Sequence, residues 1–287
     1  TLNAVTVAMN GNQYRVNVFS CTATPITSDA ATLTVNTLAV IGTQPANATL
    51  CLGGNTSFSV AATGTGLSYQ WQYAAACGGT FTNIAGETSA TLNLNNVTLA
   101  NAGAYQVVVT GTCNPVTSSC VTLTVNSPIT ISAQPASVDI CLPLNTASFS
   151  VTAAGTGLTY QWQVSTNGGT SWSDLTGETA ATLNLTGLTA AFNGNQYRVV
   201  LNGTCTTNLN SSAATLAVNS PVDITTQPTD VSSCAGSAIS FNVVATGSTI
   251  TYQWQVSVNG GAFVDMSNTA PFSGVNTSTL NINPVST

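Results

Sequence analysis

Two kinds of charged side chain are missing from this sequence. It has no lysine and no histidine, and its only cations are Arg15 and Arg198. The commonest general bases and the Schiff-base nucleophile are therefore absent, which argues against an enzyme. Eight scattered carboxylates give a net charge of −6 and leave no basic stripe for phosphate contacts, so we expect no nucleic-acid partner. Charged residues are only 3% of the chain, and such a neutral surface packs against copies of itself with little electrostatic penalty.

Long hydrophobic runs are absent as well. No stretch of 18 apolar residues occurs, so we expect no membrane insertion. The eight cysteines occur without histidine and without a Cys-x-x-Cys pair, which argues against zinc and favours disulfides formed in an oxidising, extracellular compartment. We expect no cofactor. The alternative is a single calcium ion bound at a domain junction, with Asp139 or Asp223 as a ligand.

The sequence repeats itself with the period of one small domain. The phrase TGLSYQWQ at 65–72 returns as TGLTYQWQ at 156–163 and as STITYQWQ at 248–255. A second phrase, GNQYRV, occurs at 11–16 and 194–199, with GAYQVV in its place at 103–108. The tryptophans of the first phrase and the tyrosines of the second recur at intervals of 91 and 92 residues. These six residues are predicted to lie in domain cores: Trp71, Trp162, Trp254, Tyr14, Tyr105 and Tyr197.

Within each repeat the apolar residues alternate with polar ones, as in strands that bury one face. Leu67, Tyr69 and Trp71, for example, alternate with Ser68 and Gln70. Glycine and asparagine clusters separate these runs, and no segment has a helical period, so the sequence predicts an all-β chain. Proline-bearing phrases mark boundaries near residues 36, 126 and 219. The predicted pieces are a partial domain at 1–36, complete domains at 37–126 and 127–219, and a partial domain at 220–287.

Two motifs resemble the immunoglobulin (Ig) fold. Trp71 lies 11 residues after Val60, which occupies the place of the first core cysteine of antibody-type domains. The phrase NAGAYQV at 101–107 is similar to the D-x-G-x-Y-x-C signature, with Tyr105 at the tyrosine corner and Val107 in place of the second cysteine. The second repeat matches through Val151, Trp162, Tyr197 and Val199. The resemblance covers the whole chain and implies tandem Ig-like β-sandwich domains in an elongated rod or filament, with Val–Val contacts replacing the inter-sheet disulfides.

A finer resemblance is to the Ig-like repeats of very large surface proteins of Bacteroidota. It is carried by YQWQVSTNGGTSW at 160–172 and GNQYRVV at 194–200. This resemblance implies export to the cell surface by the type IX secretion route and a role as an adhesin stalk or extracellular fibre. It also implies that substrates and partners usually belong to other domains.

Alignment of the repeats sorts the cysteines into three classes. One class precedes the second strand (Cys51, Cys141, Cys234), another follows the sixth strand (Cys21, Cys113, Cys205), and the third occurs only in the first complete repeat (Cys77, Cys120). Because the third class appears only as a pair, we expect a Cys77–Cys120 disulfide. The simplest pairing of the others within domains is Cys51–Cys113 and Cys141–Cys205.

This intradomain pairing meets a geometric objection. In an ordinary sandwich the A–B turn near Cys51 and the F–G turn near Cys113 lie at opposite ends, about 20 Å apart for strands of this length. A disulfide needs Cα atoms within about 7 Å of each other. The alternative is a bond across the domain junction, from Cys51 to Cys205, and the sequence alone leaves both pairings open.

The two partial domains are complementary. Residues 1–36 supply the end of strand E with strands F and G, whereas residues 220–287 supply strands A to E. In one explanation the chain is a window of a longer array, which the repetition of TLN at 1–3 and 279–281 favours. In the other, the F–G hairpin of one copy completes the last domain of another by strand addition, with a disulfide between Cys21 and Cys234 of different subunits.

The leading functional prediction is a structural repeat segment whose partners are copies of itself or neighbouring repeats. The rival is an adhesive module that binds glycan or another cell surface. Phe81, Trp172 and Phe263 follow Gly-Gly turns and are its candidates for stacking on a sugar. Asp174 and Glu178 are a candidate carboxylate pair, which we interpret as solvated loop residues.

Overall fold

The computed structural model describes residues 4–21 and 24–284 and shows an all-β chain, as the sequence predicts. Its described helices are three short 3₁₀ turns: Val7–Met9, Leu99–Asn101 and Ala190–Phe192. None of them has the length and hydrophobicity needed to span a bilayer. The strand E segment expected at residues 1–3 lies outside the described residues.

The chain divides into two compact units. The first unit runs as far as Ile129 and includes two short turns, Gly155–Gly157 and Gly203–Thr206. The second unit contains the rest of the chain. The F–G turn of the second repeat therefore belongs to the same compact unit as the first repeat.

The first complete repeat is a two-sheet sandwich. Its strands are β5 (Val40–Thr43), β6 (Ala48–Cys51), β7 (Thr56–Ser59), β8 (Ala61–Thr63), β9 (Ser68–Ala74), β10 (Thr82–Asn83), β11 (Thr91–Leu94), β12 (Gly103–Thr110), β13 (Pro115–Thr117) and β14 (Val121–Asn126); four short strands precede them, β1 (Gln13–Tyr14), β2 (Asn17–Val18), β3 (Ile26–Thr27) and β4 (Ala31–Thr32). In Ig order, β5 is strand A, β6 is A′, β7–β8 are B, β9 is C, β10 is C′, β11 is E, β12 is F and β13–β14 are G. Strand B pairs with strand A through β8 and with strand E through β7, and the second sheet has the order C′–C–F–G–A′.

Alternation along these strands builds the core, because every second side chain points between the sheets. Trp71 and Val107 are fully buried and lie opposite each other on strands C and F. Phe58 packs on Tyr105 with ring centroids 5.1 Å apart. Val60, at the place of an antibody cysteine, is buried in the same cluster.

The second complete repeat has the same plan. Its strands are β15 (Thr130–Ala133), β16 (Val138–Cys141), β17 (Ala147–Ser150), β18 (Thr152–Ala154), β19 (Thr159–Ser165), β20 (Ser173–Asp174), β21 (Thr182–Leu185), β22 (Gln196–Asn202), β23 (Leu209–Asn210) and β24 (Ala214–Asn219). Trp162 lies opposite Val199, and both are fully buried. Phe149 stacks on Tyr197 with centroids 4.9 Å apart, which reproduces the aromatic pair of the first repeat.

Strand A′ runs parallel to strand G in both complete repeats. In the first repeat β6 pairs with β14 so that Cys51 lies opposite Asn126, the last residue of strand G. In the second repeat β16 pairs with β24, and Cys141 lies opposite Asn219. The A′ cysteine is thereby placed where the chain leaves one repeat and enters the next.

The third repeat is an incomplete sandwich in the part of the chain that the structure describes. Its strands are β25 (Asp223–Thr226), β26 (Ile239–Asn242), β27 (Val244–Thr246), β28 (Gln255–Val256), β29 (Val264–Asp265), β30 (Phe272–Ser273) and β31 (Thr279–Ile282). No described residue forms a strand F or G against them. Strand C is reduced from seven residues in β9 and β19 to two in β28, and the segment before Cys234 forms no strand A′. Both differences follow from the missing neighbours, because C pairs with F and A′ pairs with G.

Candidate functional site: the junction between repeats

A disulfide joins the first repeat to the second. Cys51 and Cys205 are bonded, with their Cα atoms 5.7 Å apart and a sequence separation of 154. The Sγ atom of Cys205 lies 3.6 Å from the carbonyl oxygen of Asn126, the residue opposite Cys51 in the A′–G pairing. The bond therefore sits at the end of strand G of the first repeat.

Local hydrogen bonds hold the F–G turn of the second repeat against the linker. Ile129 N donates to Thr206 Oγ1, and Thr204 N donates to the carbonyl oxygen of Thr156, both at 2.9 Å. The approach of this turn is close enough to require glycine, because a Cβ at Gly203 would lie 2.8 Å from the Thr156 carbonyl oxygen. These contacts fix the turn that carries Cys205.

The intradomain pairing expected for Cys51–Cys113 and Cys141–Cys205 is wrong in this structure, and the cross-junction alternative is the one observed. The reason is the parallel A′–G pairing, which carries Cys51 to the end where the next repeat begins. Cys113 follows strand F, which runs antiparallel to strand G, and so lies at the other end.

The remaining cysteines fall into two groups. Cys77 and Cys120 are bonded with Cα atoms 5.9 Å apart, as their joint occurrence predicts. Four cysteines are free and exposed: Cys21, Cys113, Cys141 and Cys234. The expected bond between Cys21 and Cys234 of different subunits would join the F–G and A′ positions of one completed domain. That is the arrangement that the first repeat rejects, so the observed geometry argues against it.

The predicted core residues of the two complete repeats are deeply buried. The indole N–H groups of Trp71 and Trp162 each donate to a backbone carbonyl at 2.9 Å. Tyr105 forms the tyrosine corner, because its hydroxyl donates to the Asn101 carbonyl oxygen at 2.7 Å. Burial, more than the neighbouring Tyr73, raises the pKa of the Tyr105 phenol to about 12, and burial also raises the pKa of Tyr197.

Trp254 differs from the other two tryptophans because it is only half-buried. Its indole N–H still donates to the Thr277 carbonyl oxygen at 2.9 Å, so the side chain has the same local position. Open cavities of about 290 Å³ and about 240 Å³ adjoin it. Apolar residues of both sheets line them, including Ile224, Val243, Phe241 and Leu280. This groove, the Trp254 groove, occupies the position of strand F in a complete repeat.

A third cavity adjoins Cys141. It measures about 460 Å³ and is lined by Cys141, Asn219, Ser248, Thr249 and neighbouring residues. Ser248 is equivalent to Thr156, whose carbonyl oxygen accepts from the F–G turn at the first junction. The cavity therefore marks the place of an F–G turn.

Residues 7–21 and 24–36 form an F–G hairpin with its core face exposed. Tyr14, Val16 and Val18 are 44%, 56% and 60% exposed, whereas the equivalent Tyr105, Val107 and Val109 are at most 2% exposed. The hairpin register nevertheless matches the complete repeats, since Tyr14 pairs with Ala31 as Tyr197 pairs with Ala214. We name residues 7–21 and 24–36 the F–G hairpin.

One serine hydrogen bond shows that the F–G hairpin has the geometry of a finished domain. Val16 N donates to Ser28 Oγ at 3.1 Å, in the way that Val107 N and Val199 N donate to buried serines at 3.0 Å in the complete repeats. Tyr14 is thus a core residue by position that lies exposed in this structure.

The other candidates do not converge on a site. The guanidinium of Arg198 lies 4.3 Å above the Trp172 ring, and the indole N–H donates to Gly169 O, so this side chain packs within its own repeat. Asp174 accepts from Gln163 Nε2, whereas Asp139 accepts from Asn219 Nδ2. Among the described residues no group of three or more His, Cys, Asp or Glu side chains can hold a metal ion.

The two complete sandwiches coincide with a known sequence family. A family profile described as a domain of unknown function, DUF8696, matches residues 40–127 and again residues 129–220. The chain belongs to the DUF8696 family. The Cys51–Cys205 bond therefore joins two consecutive DUF8696 domains. No curated protein sequence matches the chain.

Solved structures agree on the fold. A three-Ig structure of titin domains I67–I69, an E-to-A mutated variant, is 15% identical and matches with a TM-score of 0.58, covering 88% of this chain and 90% of that one. The I-band fragment I67–I69 from titin also matches at 15% identity with a TM-score of 0.58, covering 89% and 90%. These likenesses show that the DUF8696 domains here are tandem Ig-like sandwiches.

Proposed function

We propose that this chain is a non-catalytic structural segment of an extracellular fibre or adhesin stalk on a bacterial surface. The observation that carries the proposal is the Cys51–Cys205 disulfide between consecutive domains. Trp71 and Trp162 are fully buried within their own sandwiches, so this bond closes neither core. What it adds is a covalent tether that resists the separation of neighbours under load.

The compartment and the surface support the same proposal. Two disulfides are stable only in an oxidising environment, which in bacteria lies outside the cytoplasm. The nearly uncharged surface favours self-association, as expected of a segment that packs into a fibre. The bacterial surface itself rests on the resemblance of the repeat phrases to those of large Bacteroidota surface proteins.

Immunogold electron microscopy of intact cells tests the proposal. Antibodies against residues 37–219 should label extended material outside the cell, and a non-reducing peptide map of that material should contain the Cys51–Cys205 bond. Label confined to the cytoplasm, or a map in which Cys51 and Cys205 are both free thiols, would contradict it.

The second candidate function is glycan binding. Trp172 is a poor candidate for stacking on a sugar, because one face of its ring is covered by Arg198. Phe263 is 69% exposed and remains available to a sugar. A broad glycan array probed with the whole chain is expected to be silent. Binding that Phe263→Ala abolishes and Phe81→Ala preserves would establish an adhesive module instead.

A further inference from the structure

The Trp254 groove and the F–G hairpin match residue by residue. In the complete repeats a strand F valine lies opposite the core tryptophan, as Val107 does for Trp71. By the repeat alignment, Val16 is the equivalent valine and Trp254 the equivalent tryptophan. Tyr14 would then stack on Phe241 as Tyr197 stacks on Phe149. Two exposed side chains of the hairpin, Tyr14 and Val16, thus have counterparts in the groove.

The polar contacts match as well. In the second repeat, Arg198 Nε donates to Gln163 Oε1 at 2.8 Å, and Gln163 Nε2 donates to Asp174. The third repeat already has half of this network, because Gln255 Nε2 donates to Asp265 Oδ1 at 2.8 Å.

Arg15 is the equivalent of Arg198 and the only other arginine of the chain. Phe263, which takes the place of Trp172 beside the aspartate, offers an exposed ring for the guanidinium of Arg15. The hairpin would therefore complete both the hydrogen-bond network and the cation–π pair.

The cysteines fix where two copies would be linked. Cys51, at the end of strand A′ in one repeat, bonds Cys205, in the F–G turn of the next repeat. We extend this pairing of an A′ cysteine with the F–G cysteine of the following domain to the other junctions. Cys141, at the end of the second strand A′, then requires the F–G cysteine of the domain that completes the third repeat, and Cys21 has that position in the hairpin. Cys234 likewise requires the F–G cysteine of the domain after that. This is Cys113, in the first complete repeat of the copy that supplies the hairpin.

We propose that the Trp254 groove binds the F–G hairpin of a second copy of this chain, and that disulfides from Cys141 to Cys21 and from Cys234 to Cys113 of that copy lock the joint. The proposal deepens the fibre function and rests on it. A second copy is the occupant because, among the described residues, the F–G hairpin is the one F–G pair that serves no sandwich. With these bonds all four free cysteines are used.

Each new bond forms by exchange with an external disulfide, such as oxidised glutathione or a disulfide oxidoreductase. The thiolate of Cys141 attacks one sulfur of the oxidant, releases one thiol and forms a mixed disulfide. The thiolate of Cys21 then attacks the Cys141 sulfur and releases the second thiol. The two protein thiols thereby pass two electrons to the oxidant, and one S–S bond forms while one breaks.

Oxidation of the whole 287-residue chain tests the proposal. An equal mixture of ¹⁵N-labelled and unlabelled chains is folded and oxidised with a glutathione buffer. Non-reducing gels should then show a ladder of disulfide-linked dimers, trimers and larger oligomers. Peptide mapping should then show mixed-isotope Cys21–Cys141 and Cys113–Cys234 pairs. Monomers only, purely intrachain versions of these pairs, or a Cys21–Cys234 pair would overturn it. The same peptide map also detects the Cys51–Cys205 bond. Its absence would contradict the proposed function, whereas its presence without the interchain bonds would contradict only the present proposal.

Matched double variants test the pairing rule without disturbing a core. Cys21→Ser/Cys141→Ser should keep the ladder, because the Cys113–Cys234 bond survives. Cys21→Ser/Cys234→Ser also removes two cysteines but breaks both types of bond, so its ladder should disappear. The reverse result, or equal ladders, would overturn the assignment.

A charge in the hairpin tests the groove itself. Val16→Asp places a carboxylate opposite Trp254 and should lower the yield of linked copies at least tenfold. Asn17→Asp adds the same charge to the opposite face of the same strand and should leave the yield within twofold of the parent chain. Equal yields from the two variants would show that the cysteines meet without strand addition, which would overturn the groove.

Discussion

Pulling on the two ends of a single chain would show whether the Cys51–Cys205 bond carries tension. The bond closes a loop that spans 154 positions and contains most of the first DUF8696 domain and most of the second. Force applied at the ends bypasses everything between the two cysteines, so these residues cannot extend while the bond is intact. Under oxidising conditions we therefore expect most of both complete domains to resist extension.

The gain on reduction follows from the reach of an extended chain. Because an extended residue spans at most about 3.3–3.6 Å, releasing the loop of 154 positions should lengthen the chain by roughly 530 Å. Under oxidising conditions the variant Cys51→Ser/Cys205→Ser should lengthen by less than the reduced parent chain does, because the 43 positions closed by the Cys77–Cys120 bond still cannot extend. Its gain under oxidising conditions should be roughly 380 Å, with the final ~150 Å appearing only on reduction.

Single-molecule force spectroscopy measures these lengths directly. The control is Cys113→Ser/Cys141→Ser, which also removes two cysteines but no bond of the structure, and its extension should equal that of the parent chain. A parent chain that extends as far when oxidised as when reduced would refute the tether. A gain in the control variant would refute the pairing.

Three further predictions concern stability. Burial raises the folded-state pKa values of Tyr105 and Tyr197, to about 12 for Tyr105. Their contribution to the free energy of unfolding is therefore fully present below pH 10 and is lost as the pH rises toward 12, because the tyrosines of the unfolded chain ionise first. Tyrosinate absorbance should rise together with the loss of structure. Ser211→Ala leaves the buried Val199 N–H unpaired and should cost about 1–3 kcal/mol in denaturant unfolding, whereas Ser28→Ala removes the same bond at an exposed site and should cost less in the single chain. Arg198→Met should cost about 1 kcal/mol, and a double-mutant cycle with Trp172→Leu should recover most of it as coupling.

The sequence predicted the sandwiches because each core residue recurs with the domain period. Trp71 and Trp162 repeat within almost identical phrases, and strand alternation assigns each to the buried face. The Cys77–Cys120 bond was also within reach, since both cysteines occur in one repeat only. Such features depend on local pattern, which a single sequence displays.

The partner of Cys51 depends on a feature that local pattern does not display. Its position before the second strand does not say whether the preceding segment pairs with strand B or crosses to strand G. Crossing to strand G in parallel orientation places Cys51 beside Asn126. The distance objection to a Cys51–Cys113 bond was the one available signal, because it counted against the simple pairing without requiring knowledge of strand A′, although it left both pairings open.

The dependence of strand A′ on strand G links folding to the order of cross-linking. In the third repeat no described residue forms strand G, and the residues before Cys234 form no strand A′. A cysteine at the end of strand A′ is therefore placed for its partner only after the sandwich it belongs to has closed. If the F–G hairpin of a second copy fills the Trp254 groove, Cys234 comes to lie at the end of a strand A′ when the incoming hairpin supplies strand G, with Asn36 opposite Cys234 as Asn126 is opposite Cys51. Strand addition must then precede oxidation at this cysteine, so a joint that has not closed correctly is not locked by the Cys234–Cys113 bond.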